Sequence, residues 1–393
     1  MGYEKYCLSD NPFPRGGAIL TPTSDDPRRN GKIFSTEART TQIDVFEKMF
    51  LAKNTVFDDR NTCGFIWAEG GGTIGRGMGK TALAVYMKHK INEDYGGKYF
   101  NGKEKIFMTY ISFSEQIKSK VEFIYKAILN SLIKDNIFKH LSKCVDMEKL
   151  DKFKVRGAFS EAIINGSIEG YLRGLSKYSL TEMRTAYDSK FLTQLPYILL
   201  TDTVNALRAG GFSGGIVLID DMENLTDNST RKEIQTFIKN MGISFFRSDT
   251  ETAKCRFFSL VFTTHENSAL KISESWNLAG LSSAYPLNPG GRTSILMPKP
   301  DVDQCMDIIL QHLNHYRIPS FKNDNKYFPF TKEVIEHILD ECEYHPRRFL
   351  TRLCDIISTA LGNDLKEITI DFVKSIPMTA ERPESTLGIE DIE

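Results

Sequence analysis

The sequence predicts an α/β protein built on a parallel sheet, and three stretches carry that prediction. The first is the apolar run Phe65-Ile66-Trp67, followed by glycines at 70, 71, 72, 75, 77 and 79, then Lys80-Thr81 and the amphipathic Ala82–Met87. The second is another apolar run, Ile106 to Phe113. A strand, a helix and a second strand in this order imply a parallel crossover. The third is Ile216-Val217-Leu218-Ile219, a fully apolar strand that ends in Asp220-Asp221.

The glycine-rich stretch reads as a phosphate-binding loop. Without Cβ atoms, its backbone N–H groups can close around phosphate oxygens, and the helix that follows points its positive end at the anion. Lys80 reaches the β- and γ-phosphates, and the Thr81 hydroxyl ligates Mg²⁺. Gly75, Gly77, Met78, Gly79, Lys80, Thr81 and Ala82 form the candidate cradle. The spacing G-x-x-x-x-G-K-[ST], counted back from Gly79, puts Ile74 where the first glycine belongs. A loop longer than usual, with Gly70 or Gly75 making the first turn, accounts for this.

A buried strand delivers the acid at its carboxyl end to the edge of the sheet beside such a loop. Asp220 is therefore the candidate that holds Mg²⁺ through water, and Asp221 the candidate that orients the attacking water, with Glu223 as an alternative. A further strand, Phe257 to His265, also ends in polar residues. Thr264 is the chosen γ-phosphate or water contact there, and Thr263 the close alternative.

Composition bounds the rest. The chain has 393 residues, 41% hydrophobic and 26% charged, enough for one large core and a smaller one. Its net charge of −1 provides no global basic footprint for nucleic acid. Seven cysteines, odd in number and without a C-x-x-C pair, suit reduced thiols rather than disulfides or zinc. His312 and His315 are too thin a pair for a metal site. The sequence has neither an apolar run of the ~18 residues a bilayer span needs nor a signal-peptide core, so a cytoplasmic protein without membrane contact is the expectation.

Along the chain, 1–33 reads as an N-terminal arm rich in turn signals, and 34–300 as the nucleotide-binding core. A capped helix near its start suits Arg39 as a solvated residue better than as an adenine contact. Residues 136–193 read as an inserted helical subdomain whose Lys152, Lys154, Arg156, Arg173, Lys177 and Arg184 suit a solvated face better than nucleic acid. A helix from about Ser229 to Phe245 follows the acid pair. Residues 301–375 form a helical lid with apolar stripes at Val302, Met306, Ile309, Leu310 and Leu313, and at Val334, Ile335, Ile338 and Leu339. Residues 376–393 read as an acidic tail, too short for a winged-helix domain.

This order of parts resembles the AAA+ ATPases over roughly residues 34 to 375: Arg39 and Gln42 before the core, the GKT loop, Asp220-Asp221, and Thr263-Thr264 at the sensor 1 position. Tyr344-His345-Pro346-Arg347-Arg348-Phe349-Leu350 is similar to the lid signature G-N-P-R-R-x-L of the origin-recognition and replication-initiator branch, and Ile368 to Val373 to the I-T-x-x-x-V that closes that lid. Asn11-Pro12-Phe13 resembles the opening of ExeA-like and transposon-encoded target-selection ATPases.

The resemblance implies a P-loop AAA+ core with a parallel five-stranded sheet, the helical insertion and a C-terminal helical lid, with ATP and Mg²⁺ as cofactors. It assigns sensor 2 to Arg347, with Arg348 as the alternative. The arginine finger position holds Ala279, and Arg292 is the nearest substitute. The function implied is an ATP-hydrolysing switch that assembles as a homo-oligomer and controls a DNA-acting protein partner, touching double-stranded DNA directly or through that partner. A protein-remodelling or secretion-associated ATPase, and an ATP-binding scaffold with little hydrolysis, are the alternatives.

Overall fold

Five apolar runs become the five strands of one parallel sheet. The computed structural model describes residues 2–15, 25–51, 63–68, 77–113, 121–177, 189–246 and 257–378; side chains at 121–123, 173–177 and 189–198 also lie outside the description. The chain divides into two units, one of residues 40–298 and one that joins 1–39 to 299–393.

In the first unit, α1 (Thr40–Phe50) precedes β1 (Cys63–Ala68), and α2 (Lys80–Asn92) and α3 (Gly97–Phe100) lead to β2 (Lys105–Ser112). A helical run follows: α4 (Val121–Lys134), α5 (Ile137–Cys144), α6 (Met147–Lys152), α7 (Gly157–Ile164), α8 (Ile168–Lys177) and α9 (Ser189–Ala209). Then come β3 (Phe212–Asp220), α10 (Met222–Asn228), α11 (Arg231–Met241), β4 (Phe258–Thr264), α12 (Glu266–Leu278) and β5 (Ser294–Met297).

The strand order is β2-β3-β4-β1-β5. β1 and β4 are buried along their whole length, as strands covered on both faces must be. β3 needs a glycine at its centre, because a Cβ on Gly215 would lie 2.3 Å from the Phe107 ring. The chain leaves β1, crosses to the edge strand β2 and returns through β3 and β4. The carboxyl end of β1 and the acids at the end of β3 therefore share one end of the sheet, separated by the end of β4.

Several expectations change in detail. Among the described residues, the helices of the 136–193 insertion share the core of the sheet: Ile137, Phe138, Leu141, Leu150, Phe159 and Ile163 join the same apolar cluster as Phe65, Phe107 and Val217. Apolar stripes on helices this short cannot close a core among themselves. Arg156 is tied to Asp202 through Nε at 2.6 Å, while Lys152 and Lys154 are exposed. The single helix expected from Ser229 begins instead at Arg231, because Thr230 and Glu233 form a reciprocal cap, and a π-turn at Gly242–Phe246 ends it. The fifth strand, β5, was not singled out in the sequence, being only four residues long.

The second unit is helical: α13 (Val302–Tyr316), α14 (Lys332–Glu341), α15 (Pro346–Gly362) and α16 (Ile370–Ser375). Val334, Ile335, Ile338, Phe349, Leu353 and Ile356 pack at its centre with Met306, Ile309 and Leu313. The N-terminal segment belongs to this unit. Tyr6, Leu8 and Phe13 are buried in the same cluster, and Leu8 bridges Arg317. Asn11 Nδ2 donates to Ser358 Oγ at 2.9 Å and to the Cys354 carbonyl at 3.2 Å, while its Oδ1 accepts the Phe13 N–H. Asn11-Pro12-Phe13 thus has a structural role: it seats the first residues on α15. Arg39, expected in solvent, is 4% exposed, and burial pulls its pKa down.

Candidate nucleotide site

Gly77 and Gly79 adopt positive φ values of 83° and 93°, the left-handed backbone that glycine takes without a Cβ penalty. They bring the chain round to Lys80, the first residue of α2, with Met78 buried between them. Lys80 is itself buried, 7% exposed, while Thr81 and Ala82 are half-buried on the first turn. Gly75 and the other glycines of 69–76 lie outside the described residues.

The acid pair meets this turn directly. Thr81 Oγ1 donates to Asp220 Oδ2 at 2.7 Å, so the two residues expected at the metal are in contact although 139 positions apart. Asp220 is 2% exposed and has two more donors: Thr263 Oγ1 on Oδ1, and the Tyr110 hydroxyl on Oδ2 at 2.9 Å. A buried carboxylate demands such donors, since an unpaired charge in a dry site is costly.

Asp221 stands at φ 58°, ψ 45°, the left-handed region, which aspartate tolerates better than most residues. Its N–H donates to Thr263 Oγ1 at 3.2 Å, and its Oδ2 accepts from Ser112 Oγ at 2.9 Å. Burial, then the charges of Asp220 and Glu223, push its carboxyl up to about 7. Glu223 is buried on the first turn of α10.

Two site residues escaped the sequence reading. Tyr110 and Ser112 come from β2, two apart and hence on one face of the strand. The register pairs Ser112 with Asp220 and Tyr110 with Leu218. The available signal was the pair of hydroxyls at 110 and 112, on one face of a run that also carries Thr109 on the other. Burial, then the charges of Asp220 and Asp221, push the Tyr110 phenol upward, which keeps it a proton donor.

On β4 the structure puts Thr263 rather than Thr264 on the acid pair. Successive side chains of a strand face opposite ways. Thr264 is fully buried, and its Oγ1 approaches only the carbonyl of His265, at 3.4 Å. Arg292 is exposed and donates to its own chain's carbonyls at Ala284 (2.9 Å) and Ser283 (3.3 Å).

In the helical unit Arg347 is half-buried on the first turn of α15, after Pro346. Arg348 Nη1 pairs with Glu343 at 3.2 Å. Glu343 and Tyr344 both have positive φ, 52° and 57°, so Tyr344 holds a left-handed backbone at the glycine position of the lid signature. Arg352 is the structural arginine here: it donates to the carbonyls of Val373, Ile376 and Pro377, capping the end of α16.

Among the described residues all cysteines are free, no cluster of acids, histidines and cysteines forms a further metal site, and no helix is long and apolar enough to cross a membrane.

No protein-family model matches the sequence, and no curated protein matches it. Among solved structures, the chain is similar to the Aeropyrum pernix ORC2 protein in its ADP form, with a TM-score of 0.50 and 11% identity over 91% of this chain and 69% of that one. A second structure of that protein, described as ADPNP-ADP complexes, matches with a TM-score of 0.50 and 11% identity over 86% and 67%. At this identity the likeness speaks for the fold alone, and it carries nothing toward the transposon target-selection branch. The chain has an α/β fold, a parallel five-stranded sheet among helices together with a second, helical unit, and it shares this fold with the ORC2 structures.

Proposed function

We propose that the chain binds ATP with Mg²⁺, hydrolyses it slowly, and acts as an oligomeric switch that controls a DNA-acting partner in the cytoplasm. The observation that carries the nucleotide reading is the contact of Thr81 with Asp220, 2.7 Å apart, next to Lys80 at a helix N-terminus. A hydroxyl and a carboxylate suit Mg²⁺, a hard cation that keeps most of its waters and takes only one or two protein oxygens. The nucleotides named for the two ORC2 structures support the same reading.

When bound, Mg²⁺ neutralises charge on the β- and γ-oxygens. Lys80, with Gly75, Gly77, Met78, Gly79, Thr81 and Ala82, would hold the phosphates. Asp221 orients the water, and Thr263 fixes the backbone and carboxylate of the acid pair. Aspartate is one methylene shorter than glutamate, and Ser112 holds one of its oxygens, so turnover is slow. That same hold favours the scaffold reading, in which ATP is bound and little is hydrolysed. Arg347 as the γ-phosphate sensor and Arg292 as the residue offered to a neighbouring copy remain parts of this proposal, as does DNA contact, direct or through the partner.

The test is the ATPase rate per protomer against protein concentration, with and without double-stranded DNA, using Lys80→Ala and Asp221→Asn as controls. A rate that rises with concentration and again with DNA, and is lost in both variants, supports the switch. A flat rate unaffected by DNA removes the oligomer and DNA parts. Unaltered nucleotide binding in Lys80→Ala removes the phosphate-loop assignment itself.

A further inference from the structure

Tyr110 is an aromatic hydroxyl on the face of β2 that Ile106 and Met108 otherwise fill with apolar side chains. Ile106, Met108, Tyr110 and Ser112 share one face of β2, and phenylalanine would occupy the third position as well. Its register partner is Leu218, so its ring must lean two residues along β3, roughly 7 Å, to reach Asp220. Serine or threonine at this position is too short to do so. The phenol arrives at Oδ2, the oxygen that also accepts from Thr81.

A carboxylate offers about four acceptor sites on its two oxygens. Thr263 occupies one on Oδ1, and Thr81 and Tyr110 occupy Oδ2. Thr81 has one proton and two lone pairs, so it can offer a lone pair to a cation while its proton stays on Asp220. Tyr110 is a second donor on the same oxygen, and its role there is to hold Asp220 rather than to ligate. Donors on both oxygens fix the carboxylate plane and draw charge from it, which would favour holding a cation through water over direct contact.

We propose that Tyr110 is a positioning residue for the metal-bearing carboxylate, fixing Asp220 in the orientation that holds Mg²⁺ through water. This rests on the Mg–ATP reading above. It concerns the metal dependence of binding, not nucleotide affinity as such.

The experiment titrates Mg²⁺ into the full chain with a fluorescent ATP analogue and compares affinity with Mg²⁺ to affinity in EDTA. In Tyr110→Phe the half-saturating Mg²⁺ concentration rises about tenfold, the scale of one hydrogen bond to a charged group, while affinity in EDTA is unchanged. Tyr110→Met, which fills the position without a hydroxyl, is measured alongside so that the result does not depend on one variant folding, and melting curves report the fold of each. Tyr99→Phe removes a comparable hydrogen bond, 2.8 Å to Glu47, and leaves the Mg²⁺ dependence as in the wild type.

Because Tyr110 acts through Asp220, Tyr110→Phe in an Asp220→Asn background has no further effect. Unchanged Mg²⁺ dependence in folded Tyr110 variants overturns the proposal, as does full additivity with Asp220→Asn. Wild-type binding that is no tighter with Mg²⁺ than in EDTA overturns the Mg–ATP reading and this proposal with it.

Discussion

Thr263 on β4 donates its hydroxyl to Asp220 Oδ1 on the adjacent strand and accepts the backbone N–H of Asp221 through the same oxygen. One side chain thereby fixes both acids, including the left-handed backbone at Asp221. Thr263→Val is expected to lower the ATPase rate about tenfold or more, in the range of a lost positioning contact, with nucleotide still bound. Thr264→Val, on the other face of the strand, changes the rate by less than about twofold. Steady-state rates with ATP binding measured in parallel make the comparison, and equal losses in the two variants contradict the assignment.

Gly215 lies at the middle of β3, where an added Cβ meets the Phe107 ring at 2.3 Å. Phe107 is fully buried among Phe212, Phe257 and Phe258 and has little room to move. Gly215→Ala therefore destabilises the first unit by about 1–3 kcal/mol, the cost of overpacking a filled core. Chemical denaturation reads this as a lower midpoint with an unchanged slope.

Phe13 is fully buried near His312 (6.0 Å between ring centroids) and Phe330 (6.2 Å). Phe13→Ala leaves a cavity and costs about 3–5 kcal/mol. If the N-terminal segment is part of the helical unit's core, limited proteolysis of this variant cuts within 299–378 sooner than within 40–298. Equal protection of both units contradicts that.

His312 gives stability a pH dependence. Its Nδ1 lies 2.9 Å from the Pro12 carbonyl, and burial pushes its pKa down to about 4, with His315 and Arg28 adding unfavourable positive charge against the Pro12 hydrogen bond. In the unfolded chain the ring titrates near ~6.5. Between these values the unfolded state binds the extra proton, so stability is intact above about pH 6.5 and falls as the pH drops toward about 4. The full loss is about 3 kcal/mol. Unfolding curves at pH 7, 5.5 and 4.5 show it, and His312→Asn, which keeps an N–H for Pro12, flattens the slope over that window while lowering stability throughout.

The sequence by itself determined the chemistry that depends on neighbours along the chain. A glycine pair before Lys80-Thr81 and four apolar residues before Asp220-Asp221 state a phosphate turn and an acid at a strand end, because the device is local backbone and side-chain geometry. The buried strands were legible for the same reason: continuous apolar runs need cover on both faces. What only the tertiary structure decided is which distant groups meet these residues. Tyr110 and Ser112 reach the acids through the register of β2 on β3, and a shift by one residue would turn them away. Thr263 rather than Thr264 faces Asp220 because alternation has two phases, and strand pairing chooses between them. Asn11 meets Ser358 and Arg352 caps α16 by packing across long separations. Periodicity tells which face of an element is apolar; only the packed chain determines what lies against it.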